Sequence, residues 1–217
     1  MSELIGFDMD GVILDSDRPG DTWFHDSFVR TLTSFGLAPS EENIRALYIT
    51  SMRDNADVVC EKLGIDDPDL LWKHRDENYI ACKLAALDRG EIQLFPDVAV
   101  LSQLSKRYPL GLVSNSPQAV VDHVIGHFSL QRVFGVWLGR GDTLRALRFA
   151  KPSPEMLLTM MDSLRATHGY YVGDREEDTD AARAAGLIPI NISRDGSAGD
   201  IHSLDELPGF LAQKGDA

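Results

Sequence analysis

Leu4-Ile5-Gly6-Phe7-Asp8-Met9-Asp10-Gly11-Val12 is the stretch that decides the fold. Its short apolar run predicts a buried β-strand, and Asp8 and Asp10 then stand where that strand ends. Acidic side chains are rarely buried without a partner, so this pair is unfavourable as a purely structural choice. The pair is well suited to catalysis, because one carboxylate can attack as a nucleophile, the other can transfer protons, and a hard cation can bind the cluster.

Four more apolar runs follow, separated by segments of helical periodicity. Each is short and bounded by turn-forming residues, which is typical of parallel strands covered on both faces. The intervening helices carry apolar residues on one face, and Gly186 predicts the end of the last of them. This alternation predicts an α/β fold, a doubly wound parallel-sheet (Rossmann-like) core. The predicted strands after 4–7 are 109–113, 134–138, 169–172 and 188–192.

Residues 16–92 break this alternation, because they contain four helical segments and no strand pattern. We interpret this block as an all-helical cap inserted between the first and second strands. The predicted domains are therefore a catalytic core made of 1–15 and 93–217 and a helical cap at 16–92. The four predicted cap helices are 21–36, 41–48, 53–63 and 68–88.

Composition excludes several functions. The chain has 217 residues, 43% of them hydrophobic, enough for one core and a small insert. Its net charge of −13 disfavours nucleic acid, which needs clustered basic residues. There is no apolar run of roughly 18 residues and no secretory pattern, so we expect a cytoplasmic protein without a membrane contact. The acidic surface is consistent with ordinary solubility or with a high-salt cytoplasm.

The two cysteines, Cys60 and Cys82, form no metal or redox motif, and we expect reduced, mostly buried thiols. No exposed apolar stripe predicts an oligomeric state.

Polar side chains stand at the ends of three predicted strands. Asp8 and Asp10 follow the first strand, Ser114 and Asn115 follow the second, and Asp174 follows the fourth. In open α/β sheets, ligands bind beyond the carboxyl ends of the strands, so these residues should meet at one edge. Lys151, in the loop that opens the next helix, is the cation we expect beside them.

In this order and at these positions, the chain resembles the haloacid dehalogenase-like (HAD) hydrolase superfamily, in its capped phosphatase branch that includes phosphoglycolate phosphatases and beta-phosphoglucomutases. Any one motif would be weak evidence, whereas four in order at strand ends are strong evidence. The motifs are Asp8-Met9-Asp10-Gly11-Val12, Ser114-Asn115, Lys151-Pro152 and Gly173-Asp174-Arg175-Glu176-Glu177-Asp178.

The resemblance implies a role for each residue. Asp8 would attack phosphorus and form an aspartyl-phosphate, and Asp10 would protonate the leaving alcohol and then activate water. Lys151 would neutralise charge, and it would bind the phosphoryl oxygens together with Ser114 and Asn115. Mg²⁺ would be bound by Asp8, the backbone carbonyl of Asp10 and Asp174, with Asp178 acting through a water or by orienting its neighbours.

Specificity is expected to come from the cap. By resemblance, residues 50–53 reach the site, and Arg53 is a candidate for binding a second anionic group of the substrate. The chain departs from the family pattern at Arg175, where Ser or Thr is usual, and we expect only a small effect on metal binding. Three arginines precede Lys151 and either contact an anionic substrate or are only solvated: Arg140, Arg145 and Arg148.

These observations favour a Mg²⁺-dependent phosphomonoesterase acting on a small phosphorylated metabolite, with phosphoglycolate or a sugar phosphate as leading candidates. A phosphosugar mutase of the same superfamily and a non-catalytic binding protein on this fold stay open as alternatives. Asp10 disfavours a 2-haloacid dehalogenase, because a halide leaving group needs no proton. Phosphonate hydrolysis would need a cap lysine that forms a Schiff base; Lys62, Lys73 and Lys83 are present, without a supporting pattern.

Overall fold

A five-stranded parallel sheet forms the centre of the computed structural model, which describes residues 2–16, 18 and 20–215. Numbered in chain order, the strands lie in the order β5-β4-β1-β6-β7, so the strand that carries Asp8 is central. All four strand pairings are parallel. The predicted α/β fold is thereby confirmed. The strand bounds are β1 Ser2–Phe7, β4 Leu110–Pro117, β5 Val136–Arg140, β6 Ala166–Gly173 and β7 Ile188–Asn191.

Helices cover both faces of the sheet. Successive residues of β1 point to opposite faces, and the residues on each face pack against helices. Ile5 and Phe7 pack into one apolar cluster with α6, and Leu4 packs into a second cluster with α7 and α8. Both faces are therefore buried, as the continuous apolar runs predicted. The core helices are α5 Leu101–Leu104, α6 Gln118–His127, α7 Glu155–Ser163, α8 Glu176–Ala184 and α9 Leu207–Gly215.

Four helices form the inserted cap, as predicted. They surround a separate apolar cluster that includes Phe28, Leu32 and Trp72. The third helix begins at Ile49, four residues before the predicted start, and contains a kink at Asn55. The helix bounds are α1 Trp23–Ser34, α2 Glu41–Ala46, α3 Ile49–Leu63 and α4 Pro68–Asp88.

A short antiparallel pair joins the two connections between cap and core. Strand β2 (Leu14–Asp15) pairs with β3 (Gln93–Leu94), in the register Leu14 with Leu94 and Asp15 with Gln93. Sequence reasoning missed both strands, because a segment of two residues has no measurable periodicity.

The C-terminal half of α4 packs into the core. Tyr79, Cys82 and Ala86 belong to the same apolar cluster as Ile5 and Phe7 of the sheet. The cap therefore buries one end of its longest helix against the core. The domain bounds of 16 and 92 stay a prediction, and residues 1, 17, 19, 216 and 217 lie outside the described part.

Three strand predictions need correction. Strand β6 begins at Ala166, three residues before the predicted start. Strand β5 begins at Val136 rather than at Phe134. The Phe134 side chain is buried and contacts the Phe7 ring edge-to-face, so tertiary packing explains its apolar character. Strand β4 does not end before Ser114 but continues to Pro117, with a shift in register after Ser114.

Both cysteines are buried free thiols, as expected. Among the described residues, no helix combines the length and apolar character that a membrane span requires.

Candidate active site

The predicted site residues meet at the carboxyl edge of the sheet, below the cap. Asp8 directly follows β1, Ser114 and Asn115 lie near the end of β4, and Asp174 follows β6. A cavity of about 270 Å³ lies between this edge and the cap. Its wall contains core residues and cap residues, among them Asp8, Asp10, Ser114, Lys151, Tyr79 and Lys83. The topology therefore brings together groups that are up to 170 residues apart in the sequence, from Asp8 to Asp178.

Lys151 is the buried cation at the centre of the site. Its side chain is 1% exposed, and Nζ donates to Asp8 Oδ1 at 2.7 Å and to Asp178 Oδ1 at 2.5 Å. Nζ also donates to the Tyr171 hydroxyl at 3.0 Å. Burial by itself lowers the pKa of Lys151, but Asp178 and Asp8 raise it more, so that the pKa stands well above its usual value. The amine is therefore a fixed positive charge beside Asp8.

Three carboxylates converge around this lysine. Oxygen atoms of Asp8, Asp174 and Asp178 lie within 4.8 Å of one another. Burial, followed by repulsion from Asp178, raises the pKa of Asp174 to about 6. Burial also raises the pKa of Asp8 well above its usual value, although Lys151 opposes that shift. Burial is the first cause of both shifts, and repulsion between the neighbouring carboxylates adds to it.

The residues present fit a hard divalent cation. Oδ1 of Asp174 is buried and has no hydrogen-bond partner within the described residues, so this oxygen is available to a cation. The donor set consists of carboxylate oxygens and the nearby backbone of Asp10, and Mg²⁺ prefers oxygen ligands. Asp178 is already engaged, because it accepts from Lys151 and from the Arg175 N–H at 3.1 Å. These two contacts favour the role in which Asp178 orients its neighbours over direct binding of the metal ion.

Gly11 keeps the acidic cluster compact. It has a positive φ of 78°, which favours glycine, and a Cβ at this position would overlap the Asp174 carboxylate. A side chain here would therefore push Asp174 away from Asp8.

Asp10 is held by three donors. Ser16 Oγ donates to its Oδ1 at 2.8 Å, Ser116 Oγ donates to its Oδ2 at 2.9 Å, and Lys83 Nζ donates to Oδ1 at 2.5 Å. Burial raises the pKa of Asp10, but Lys83 and the two hydroxyls outweigh it and leave the pKa below its usual value. Asp10 is therefore a carboxylate in a fixed orientation.

Lys83 is a site residue for which the sequence showed no supporting pattern. It lies on the cap helix α4, is 0% exposed, and also donates to Ser116 Oγ at 3.1 Å and to the Tyr79 hydroxyl at 3.2 Å. The pKa of Lys83 is raised, because Asp10 outweighs the effect of burial. A protonated amine does not form a Schiff base, so this environment disfavours phosphonate hydrolysis. The signal in the sequence was a lysine within the apolar face of Tyr79, Cys82 and Ala86.

Ser114 and Asn115 line the cavity. Ser114 Oγ accepts a hydrogen bond from the Ser116 N–H at 3.0 Å. The Asn115 side chain binds the backbone of Lys151 on both sides, accepting from its N–H at 2.8 Å and donating to its carbonyl at 3.0 Å. Asn115 thus positions the loop that carries Lys151. Of the two side chains, Ser114 has the oxygen that is more available for binding a substrate.

The predicted cap residue Arg53 lies beside the site rather than in the wall of the cavity. Its guanidinium forms two hydrogen bonds with Asp54, at 2.7 Å and 3.0 Å, and reaches the Lys151 carbonyl at 3.5 Å. Arg175, at the position that departs from the family pattern, is an exposed residue in the wall of the cavity. Its backbone N–H binds Asp178, so that contact is independent of its side chain.

Of the three arginines before Lys151, Arg145 and Arg148 are exposed and Arg140 is buried. Arg140 forms an ion pair with Asp76 of α4 through both of its terminal nitrogens. Its role is therefore neither substrate contact nor solvation, but a buried ion pair between β5 and the cap.

Arg75 is the second cap cation that sequence reasoning missed. It is 2% exposed and lines the cavity, where it stacks on the Tyr79 ring at 4.8 Å and on the Trp72 ring at 5.1 Å. Burial, followed by repulsion from Arg140, lowers the pKa of Arg75 to about 10. Two buried cations, Arg75 and Lys83, thus face the cavity from the cap, in a protein whose net charge is −13.

Comparison with known proteins agrees with this geometry. The family model described as haloacid dehalogenase-like hydrolase matches residues 5–192. A phosphoglycolate phosphatase of Yersinia pestis is 30% identical over 204 residues, covering 87% of this chain and 80% of its own. A phosphoglycolate phosphatase of Salmonella typhi is 28% identical, with 93% and 85% covered.

Solved structures share the fold. A HAD phosphatase from Thermococcus onnurineus superposes with a TM-score of 0.64 at 22% identity, covering 96% of this chain and 97% of its own. A predicted phosphoglycolate phosphatase from Haemophilus somnus superposes with a TM-score of 0.67 at 20% identity, with 97% and 98% covered. The chain therefore belongs to the haloacid dehalogenase-like hydrolase family. Within that family it is a phosphatase, as its relatives over most of both chains indicate.

Proposed function

We propose that the protein is a Mg²⁺-dependent phosphomonoesterase that hydrolyses a small phosphorylated metabolite through an aspartyl-phosphate on Asp8. The observation that carries this proposal is the buried lysine–carboxylate cluster, in which Lys151 lies 2.7 Å from Asp8 beside Asp174 and Asp178. The names of the relatives make phosphoglycolate the first substrate to test. The cap at 16–92 and a cytoplasmic location stay part of this proposal.

Asp8 is the proposed nucleophile. Its carboxylate ends the central strand β1, and its backbone N–H donates to the Val172 carbonyl at 2.8 Å, which fixes the position of the residue. An Asp8 oxygen attacks phosphorus, the new O–P bond forms, and the bond from phosphorus to the substrate oxygen breaks. Lys151 offsets the charge of Asp8 and of the transferring group, and Ser114 Oγ is placed to bind a phosphoryl oxygen.

Mg²⁺ would be held by Asp8, Asp174 and the Asp10 carbonyl, and it would supply positive charge to the phosphoryl oxygens. The unpartnered Oδ1 of Asp174 is the observation that supports this assignment.

Asp10 is the proposed acid and base. In the first step Lys83 supplies a proton that passes through the Asp10 carboxylate to the leaving oxygen, and in the second step Asp10 takes a proton from the water that attacks the aspartyl-phosphate and returns it to Lys83. Phosphate then leaves and Asp8 is regenerated. Ser16 and Ser116 hold the Asp10 carboxylate so that it faces the cavity.

The substrate carries two negatively charged ends in this proposal. The phosphoryl group binds at Lys151 and Ser114, and the other charged end is directed to Arg75, a buried cap cation that lines the same cavity and is paired with Asp76. A small acid phosphate such as phosphoglycolate matches both charges, and a cavity of about 270 Å³ limits the substrate to a small metabolite.

The test measures phosphate release from p-nitrophenyl phosphate and from phosphoglycolate, with MgCl₂ and with EDTA. We expect turnover of both with MgCl₂, at least a tenfold loss with EDTA, and recovery on adding excess MgCl₂. Hydrolysis that is equally fast in EDTA would contradict the metal assignment. Isomerised sugar phosphate without phosphate release would identify a mutase, and absence of turnover across a panel of phosphorylated metabolites would identify a binding protein.

Lys83→Met should lower kcat for phosphoglycolate by about tenfold, because Asp10 loses its partner on the cap. The loss should be smaller for p-nitrophenyl phosphate, since nitrophenolate leaves without needing a proton. Steady-state kinetics with both substrates measures this difference. Lys73→Met, which removes an exposed lysine from the same helix, is the matched control and should behave as the parent protein. Equal losses for both substrates would contradict a role of Lys83 in protonating the leaving group.

A further inference from the structure

A second cluster of metal-ligating side chains lies away from the cavity, where the end of the cap helix α4 meets α6. Its members are Asp88, the last residue of α4, and His123 and His127 of α6. Their ligand atoms lie within 4.8 Å of one another. None of the three lines the active-site cavity.

The two histidines lie one helical turn apart on α6. Residues four apart lie on the same face of a helix, and the two imidazole rings are stacked with centroids 5.7 Å apart. His123 Nε2 already lies 3.2 Å from Asp88 Oδ1, so the third donor comes from the neighbouring helix. All three side chains are at least partly exposed, and binding of one ion requires their ligand atoms, now within 4.8 Å of one another, to approach the separation of about 3.3 Å that tetrahedral ligands have.

The chemistry of this donor set differs from that of the active site. Two imidazoles with one carboxylate suit Zn²⁺ and its transition-metal neighbours, whereas Mg²⁺ prefers oxygen ligands only. With three protein ligands, water can complete the coordination. The net charge of −13 favours the approach of a cation to this surface.

We propose that Asp88, His123 and His127 form a binding site for a Zn²⁺-class transition-metal ion that fastens the end of the cap helix to the core. The ion bridges α4 and α6, two helices that already pack against each other. The site uses none of the residues assigned to phosphate hydrolysis, so the test of this proposal is independent of the proposed function.

The test uses the full chain in excess MgCl₂, titrated with ZnCl₂ by isothermal calorimetry and followed by thermal melting. We expect saturable binding of one Zn²⁺ ion per chain at this site and a rise in the melting temperature that MgCl₂ alone does not produce. His127→Ala should weaken Zn²⁺ binding at least about tenfold, and Asp88→Asn should weaken it less. His25→Ala removes an exposed histidine outside the cluster and serves as the matched control.

Co²⁺ substitution gives an independent readout. Nitrogen ligation should produce visible absorption bands in the parent protein that His127→Ala loses. Because His127 is exposed, the variant should melt as the parent does without metal, which separates metal loss from misfolding. Equal Zn²⁺ affinity in the parent and in His127→Ala, or no saturable Zn²⁺ binding in the parent, would overturn the proposal.

Discussion

Asp8→Asn should reduce phosphate release by a factor of about a thousand or more, because the amide is a far weaker nucleophile than the carboxylate. The substitution keeps the shape of the side chain, and an amide oxygen can still accept the hydrogen bond from Lys151. The loss should therefore appear in kcat while the protein stays folded. Initial rates with p-nitrophenyl phosphate and MgCl₂ measure it.

A trapping experiment assigns the covalent step to Asp8 directly. Acid quenching during turnover should leave one phosphoryl group on the peptide that contains Asp8, and mass spectrometry should find none in the Asn variant. Asp66→Asn, at an exposed position of the cap, is the control that removes a negative charge elsewhere. A variant at position 8 that turns over as fast as the Asp66 control would show that another group is the nucleophile.

Lys151→Met should lower kcat by about a hundred- to a thousandfold, because it removes the positive charge that stabilises the transferring phosphoryl group. It should also destabilise the fold by about 3 kcal/mol, since Asp8 and Asp178 would stay buried without their cation. Lys106→Met, at an exposed lysine, should change neither quantity.

Two measurements keep these effects apart. Rates are taken below the midpoint of thermal unfolding, and circular dichroism reports the folded fraction. MgCl₂ should raise the melting temperature of the Lys151 variant, because a divalent cation neutralises the same carboxylates. A folded Lys151 variant with a rate near that of the parent would contradict the role of this lysine.

The central residues of the site could be predicted from the sequence because short apolar runs mark where the buried strands end. The apolar run 4–7 is followed at once by Asp8, the run 169–172 is followed by Gly173 and then Asp174, and parallel topology brings such positions to one edge. Lys151 was found through its motif, since nothing in the periodicity of the loop predicted that its side chain would be buried.

The part contributed by the cap could not be predicted in the same way. Lys83 shows only a weak signal in the sequence, its place on an apolar helix face, and the burial of Lys83 and Arg75 depends on how α4 packs across the sheet edge. Arg53 was suggested by analogy with relatives, whereas its guanidinium is paired with the adjacent Asp54. Strand predictions failed at Phe134 and at Ser114 because tertiary packing and register, rather than composition, set those bounds.

The pairing of β2 with β3 has a consequence for how the chain tolerates change. This pairing holds the two ends of the inserted helical block at the distance of neighbouring strands, about 4.8 Å. The block is therefore attached to the core in the way that a long hairpin loop is attached to its two strands. Lengthening or shortening that loop leaves the spacing of its two ends unchanged, and the entropy of closure grows only slowly with length. The architecture can therefore accept a different lid at this point, provided that the new segment still covers the apolar surface now protected by Tyr79, Cys82 and Ala86.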